Sequence, residues 1–184
     1  MRSKGFEGMA CSMAEVMGAL GDRWGALVMR DLLLGLTRYE DLRHSTGATN
    51  ATLSDRLKQL ERSGLVERRE YQVRPVRHEY LPTEKGRDLG LLLQAMVQIG
   101  DKWRRAQHEE APLHIVDAQT RRRLKLELVD MESGASPSSG AIALEAGPGG
   151  DAHMQWRLAR GEAERARRSE RLPDGALVQR NTRT

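Results

Sequence analysis

Apolar residues recur along the first third of the chain with helical spacing. From Cys11 to Leu20 the positions Met13, Val16, Met17 and Leu20 share one helix face. Gly21 ends that helix and Asp22 is a good N-cap for the next. A second helix is predicted over Arg23–Leu34, with Trp24, Leu27, Val28 and Leu32 as its buried stripe and Gly35 at its C-terminal end. Thr37 and Glu40 are spaced as a capping box, which predicts a short third helix over Tyr39–Ser45. Gly47 breaks the chain, and Thr49 can cap a fourth helix in which Leu53, Leu57 and Leu60 lie on one face. Ser63-Gly64 stops it.

The period then shifts toward two. Leu65 to Tyr71 reads as a strand, Gln72–Val76 with Pro75 as a hairpin tip, and Arg77–Leu81 as the returning strand. Pro82 is expected to break the ladder, and Thr83 to cap a long helix over Glu84–Gln107. Leu89, Leu93, Met96, Gly100 and Trp103 step along that helix, with Leu92 and Ile99 beside them. So long an apolar stripe on so small a core favours dimerisation, with Met13, Val16 and Met17 of the first helix joining the interface.

Beyond Ala111 the pattern changes. Leu113–Val116, Leu124–Val129 and Ala141–Leu144 read as short strands around a Ser/Gly-rich loop. The expected organisation is a flexible N-terminus (1–10), a main domain (11–108), a small β-rich extension (111–150) and a basic, disordered tail (151–184). Within that tail, residues 153–171 can form a helix in a partner's presence. The fold class is mainly α with a small β-hairpin.

Composition bounds the class. The 184 residues are 39% hydrophobic, 30% charged and 4% aromatic, which argues against a sheet-rich core. No apolar run approaches the roughly 18 residues of a membrane span, and the N-terminus lacks a signal-peptide run, so a cytoplasmic protein without membrane contact is expected. The single cysteine, Cys11, excludes an intramolecular disulfide. The five histidines are scattered, so no metal or other cofactor is expected. A net charge of +4, from 30 basic and 26 acidic residues, permits nucleic-acid binding without demonstrating it.

The order helix, turn, helix, basic hairpin over Thr37–Tyr80 is that of a winged helix-turn-helix, and predicts binding of double-stranded DNA. On the fourth helix Asn50, Thr52 and Ser54 can bond base edges or phosphates, and Ala51 can touch a thymine methyl. Lys58 and Arg62 are expected phosphate contacts. Asp55 would be repelled by DNA unless it accepts from cytosine, orients Arg56 or faces solvent. Arg74 and Arg77 flank Pro75, where an arginine can enter the minor groove. Arg38 is a further phosphate candidate, or is paired with Glu40. The plain alternatives are a solvated helix face and a hairpin charged against edge aggregation. An effector pocket beside the Met-rich first helix and Trp24 competes with simple core packing. No nucleophile motif, phosphate loop or metal set points to an enzyme. A winged helix used only for protein contact is the other class of function.

Read in this order, the motifs resemble the HxlR family of winged helix regulators, relatives of the MarR type. The resemblance is carried by Cys11, then Ala19-Leu20-Gly21-Asp22-Arg23-Trp24, and by Arg30-Asp31-Leu32-Leu33-Leu34-Gly35 with Arg38-Tyr39-Glu40-Asp41-Leu42. Leu53 to Leu60, Gly64-Leu65-Val66, Pro75 to Tyr80 and Thr83-Glu84-Lys85-Gly86 continue it. It covers residues 11–105, departing at Ser12, Asn50 and Pro82. The resemblance implies a homodimeric transcriptional regulator, a repressor on a pseudo-palindromic operator, released by a small-molecule effector or oxidant. It also implies a candidate redox or electrophile sensor at Cys11, whose plain alternative is a small buried interface residue.

Overall fold

Short-range capping and turn signals set most of the main elements. The structure, a computed structural model, describes Phe6, residues 8–138 and residues 142–171. Among these it has six helices and one two-stranded hairpin: α1 (Ser12–Leu20), α2 (Arg23–Leu33), α3 (Tyr39–Thr46), α4 (Asn50–Arg62), β1 (Val66–Val73), β2 (Val76–Pro82), α5 (Glu84–Ala106) and α6 (Ala152–Arg171). The chain divides into two units. One holds Met13–Ser136, with all elements from α2 to α5; the other holds Glu7–Ser12 and residues from Pro137 onward, with α6.

Three caps act as the sequence predicts. Asp22 accepts from the amides of Trp24 and Gly25, Thr49 from Thr52, and Thr83 from Gly86, each satisfying an otherwise unpaired first-turn N–H. The capping box at Thr37 does not form. The N-cap of α3 is Arg38, without a side-chain cap bond. The chain at Thr37 and Arg38 is instead drawn alongside β2: the Tyr80 amide donates to the Thr37 carbonyl, and Arg38 bridges Glu79. The helix still starts at Tyr39, as the sequence predicts, with its entry held by this backbone bond and not by the Thr37 side chain.

The core lies where α2 crosses α3, α4, α5 and β2. Val28, Met29 and Leu32 of α2 meet Leu42, Leu53, Leu57 and Leu60, closed by Leu20, Ala48, Leu65, Val66 and Leu89. Leu89 is thus a core residue, not part of a free interface, because the first turns of α5 rest on the domain; Leu93 packs partly against the same cluster. Gly86 permits that seating: a Cβ there would fall 2.1 Å from the Leu65 carbonyl oxygen. One buried carboxylate, Asp31, is held by its neighbour Arg30 at 2.7 Å.

The hairpin is antiparallel, from Val66 opposite Pro82 to Val73 opposite Val76, with a bulge between Glu70 and Gln72. Pro82 ends the ladder rather than breaking it, a position where a missing N–H costs little. The helices α1 and α5 leave large apolar side chains bare, including Met13, Met17, Met96, Ile99 and Trp103.

Among the described residues the expected β-rich extension is not seen. Residues 111–138 form turns and one isolated bridge, Val116 with Arg123, and 142–150 carry no strand. Leu124 and Leu128 are 55% and 66% exposed. The alternation is real, but the monomer offers no second layer on which to bury it, and so short a ribbon is marginal alone. The helix α6 occupies the stretch where a basic tail was expected. The expected strand at Ala141 starts outside the described residues, as does most of the N-terminus and the tail beyond 171.

Candidate nucleic-acid interface

The start of α4 lies on the surface of the fold. Its inner face is fixed by Leu53, Leu57 and Leu60, each at most 2% exposed. At 100° per residue this turns Asn50, Ala51, Asp55, Lys58 and Arg62 outward, and all five are exposed, with Thr52 and Ser54 half-buried. Thr49 Oγ1 holds the Thr52 amide at 3.2 Å and lies 2.9 Å from the Thr52 hydroxyl, so the first turn is well set.

A residue that the periodicity did not single out organises this turn. The Tyr39 hydroxyl at the start of α3 lies 3.0 Å from the Asn50 carbonyl oxygen and 3.1 Å from Ser54 Oγ. A phenol has one proton to give. With that proton on Asn50, it accepts from Ser54. Tyr39 therefore ties the two helices together at the point where α4 is exposed, and the Ser54 hydroxyl faces α3 as well as solvent.

Asp55 is exposed and pairs with a neighbouring arginine. It lies 3.0 Å from Arg56, whose guanidinium also reaches Asp22 at 3.6 Å and bonds the Gln59 side chain. Asp55 is thereby part of the network fixing α4 to the start of α2. At the other end of α4, the Thr83 hydroxyl donates to the Gly64 carbonyl and Lys85 to the Ser63 carbonyl. The exposed helix is thus anchored to α5 as well.

The hairpin brings a second set of cations. Arg74, joined to Pro75 by a cis peptide, and Arg77 are exposed at its tip, and the Gln72 amide donates to the Arg74 carbonyl. Among the described residues Lys58, Arg62, Arg74 and Arg77 make no ion pair, so their charges are available to an anion, unlike Arg69, which is paired with Glu67. Arg38 is not paired with Glu40, which binds Arg43 instead. Its guanidinium lies 3.7 Å from the Tyr71 ring centroid, at the β-bulge. A cleft of about 500 Å³ between α3 and the hairpin is lined by the cations Arg38 and Arg77, the carboxylates of Glu40 and Asp41, His78 and three tyrosines, Tyr39, Tyr71 and Tyr80. Burial pushes the Tyr80 phenol above its ordinary value, with Arg68 opposing.

Cys11 is half-buried directly ahead of α1. Of the expected dimerisation residues, Met13, Val16, Met17, Met96 and Trp103 are exposed, Leu93 and Gly100 are half-buried, and Leu89 is enclosed. Tyr39 and Tyr71 were missed as organising residues because their partners are distant in sequence. The one available signal was a tyrosine ahead of the exposed helix. No group of ligating side chains among the described residues could hold a metal ion, and none of their helices is long and apolar enough to cross a membrane.

A family model described as HxlR-like helix-turn-helix matches residues 19–108. The uncharacterized HTH-type transcriptional regulator Rv3095 of Mycobacterium tuberculosis is 38% identical over 98 residues, 53% of this chain and 61% of the relative. The match thus spans less than two thirds of that protein. The uncharacterized HTH-type transcriptional regulator YkvN of Bacillus subtilis is 31% identical over 111 residues, 60% of this chain and 94% of the relative. Among solved structures, PA1374 of Pseudomonas aeruginosa, a proposed transcription factor, is 30% identical with a TM-score of 0.57. That likeness covers 80% of this chain and 100% of the other.

Proposed function

Because the chain belongs to the HxlR-like helix-turn-helix family, we propose that it is a sequence-specific DNA-binding regulator, a homodimeric repressor of a pseudo-palindromic operator. The observation that carries this reading is the exposed start of α4, fixed by Thr49 and Tyr39 and flanked by unpaired cations. A helix so placed presents its N-terminal residues to base edges in the major groove. Asn50, Ala51 and Thr52 read bases, with Ser54 contributing through its shared hydroxyl. Lys58, Arg62 and Arg38 hold phosphates, and Arg74 and Arg77 reach the minor groove. The stacking of Arg38 on Tyr71 restricts its long side chain before DNA arrives, which lowers the ordering cost.

The homodimer reading is supported by the bare apolar residues on α1 and α5, since soluble monomers rarely expose large apolar patches without use. Release follows from a small molecule in the cleft beside Tyr39, or from oxidation of Cys11. With one cysteine, oxidation joins two subunits or adds a small thiol. Titration of fluorescent duplexes from the gene's own upstream region at several salt concentrations tests the reading. Binding should weaken steeply with salt, and Arg77→Ala should reduce the logarithmic salt slope by about 1. No binding at low salt would overturn it.

A further inference from the structure

Residues 122–130, Arg-Arg-Leu-Lys-Leu-Glu-Leu-Val-Asp, have an alternation that the single chain leaves unused. Four of their five even-numbered members, all but Leu128, are bonded through the backbone. The Arg122 carbonyl accepts from Asp117, the Leu124 amide donates to Ile115, and the Asp130 amide to Ala135. Gln98 of α5 clasps Leu126, donating to its carbonyl at 3.0 Å and accepting from its amide at 2.8 Å. In an extended chain successive residues direct their polar groups to opposite edges. The odd edge, formed by Arg123, Lys125, Glu127 and Val129, takes no backbone hydrogen bond among the described residues. Though no regular strand forms here in one chain, these backbone groups make an unpaired edge, held in place from behind by Gln98 of α5 and exposed along its length.

We propose that this edge pairs with the same edge of a second copy of the chain, antiparallel, about a two-fold axis through Leu126. The charges select the partner and the register. In that register Lys125 faces Glu127 of the second copy, Arg122 faces Asp130, Leu124 faces Leu128, and Leu126 faces its own equivalent. Opposite charges meet twice on each side of the axis, and the half-exposed leucines are covered in pairs. Sliding to either neighbouring two-fold register along this edge sets Lys125 against Lys125 or Glu127 against Glu127, which is repulsive. Lys125 and Glu127 already lie 2.6 Å apart within one chain, so pairing creates a ring of four alternating charges. The polar groups of Lys125 and Glu127 become the hydrogen-bonded pair, and Leu126 the close, non-bonded pair on the axis. This inference is independent of DNA binding, and its test contains no nucleic acid.

The test is disulfide trapping in a chain carrying Cys11→Ser. Facing non-bonded residues have Cα atoms about 4.5 Å apart, within disulfide reach. Leu126→Cys should therefore link two chains under a mild oxidant at least about tenfold faster than Met131→Cys, which is fully exposed. Adding Lys125→Glu should slow trapping by roughly tenfold, through two like-charge contacts per dimer. The exchange Lys125→Glu with Glu127→Lys should restore the rate. Circular dichroism of each variant separates these effects from misfolding. Trapping of Leu126→Cys no faster than Met131→Cys, or no recovery on charge exchange, would overturn the proposal.

Discussion

Two leucine patterns in one chain meet opposite fates. In α4, Leu53, Leu57 and Leu60 are at most 2% exposed; in the extension, Leu124 and Leu128 are 55% and 66% exposed. Both patterns are regular, one with the period of a helix and one with that of a strand. The difference is the surface opposite. The leucines of α4 face α2, whose own stripe fits them, whereas the alternating segment is held by the Gln98 clasp and a few backbone bonds to its own neighbours, with no apolar layer among the described residues to cover its leucines. Periodicity states which face is apolar, and a second element decides whether that face becomes core.

The largest expected effect contrasts these patterns directly. Leu57→Ala should destabilise the domain by about 3 kcal/mol, from lost transfer energy and the cavity left in a tight core. Leu128→Ala should change stability by less than about 0.5 kcal/mol in dilute protein. Urea unfolding followed by circular dichroism measures both, and equal losses would mean that the extension is packed as tightly as α4.

The contrast continues along α5, whose N-terminal part, through Leu89 and Leu93, packs on the core while Met96, Ile99 and Trp103 further along are bare. Gly86→Ala should cost about 1–3 kcal/mol, because the Leu65 carbonyl stands in the way. Gly90→Ala, with no heavy atom within 4 Å of its new methyl, should gain up to about 1 kcal/mol from helix propensity. Thermal unfolding of the two variants should shift in opposite directions.

A smaller effect separates stability from recognition. Tyr39→Phe removes one hydroxyl and should cost about 1 kcal/mol of stability. It should weaken specific DNA binding several-fold while leaving nonspecific binding nearly unchanged, since Tyr39 positions Asn50 and Ser54 rather than touching phosphate. Equal losses for specific and random duplexes would show that Tyr39 does not position the start of α4 for recognition.

The smallest effect is in the extension. The amides of Thr120 and Gln119 hold the Asp117 carboxyl below its ordinary value of 3.8. A carboxylate depressed in the folded state stabilises its turn above the ordinary value, and loses that contribution as pH falls through the depressed one. Exchange protection of the Thr120 amide should therefore be constant at neutral pH and decline only in acid. Asp117→Asn should reduce it throughout, without shifting the unfolding of the main domain.

Much of the main domain was legible because its signals are local. The caps at Asp22, Thr49 and Thr83 each require only a side chain two to three residues from its amide. The buried leucines of α4 required only the helical period. What failed depended on distant partners. Thr37 looked like the start of a capping box, yet its carbonyl is taken by Tyr80, far along the chain. Leu89 fitted the same stripe as Met96 and Trp103, but the seating of α5 buries one end of that stripe and leaves the other bare. Tyr39 meets Asn50 eleven residues later only because α3 and α4 cross at that point. In the extension, strand propensity was legible and the absence of an intrachain partner was not.

The most direct test of DNA reading by α4 is selection of bound duplexes from a random pool. The native chain should enrich a motif with two symmetric half-sites, and Asn50→Ala should relax one position in each half while the spacing stays the same. Failure to enrich any motif at low salt, or an unchanged motif for Asn50→Ala and Thr52→Ala alike, would contradict the assignment of that helix as the reading element.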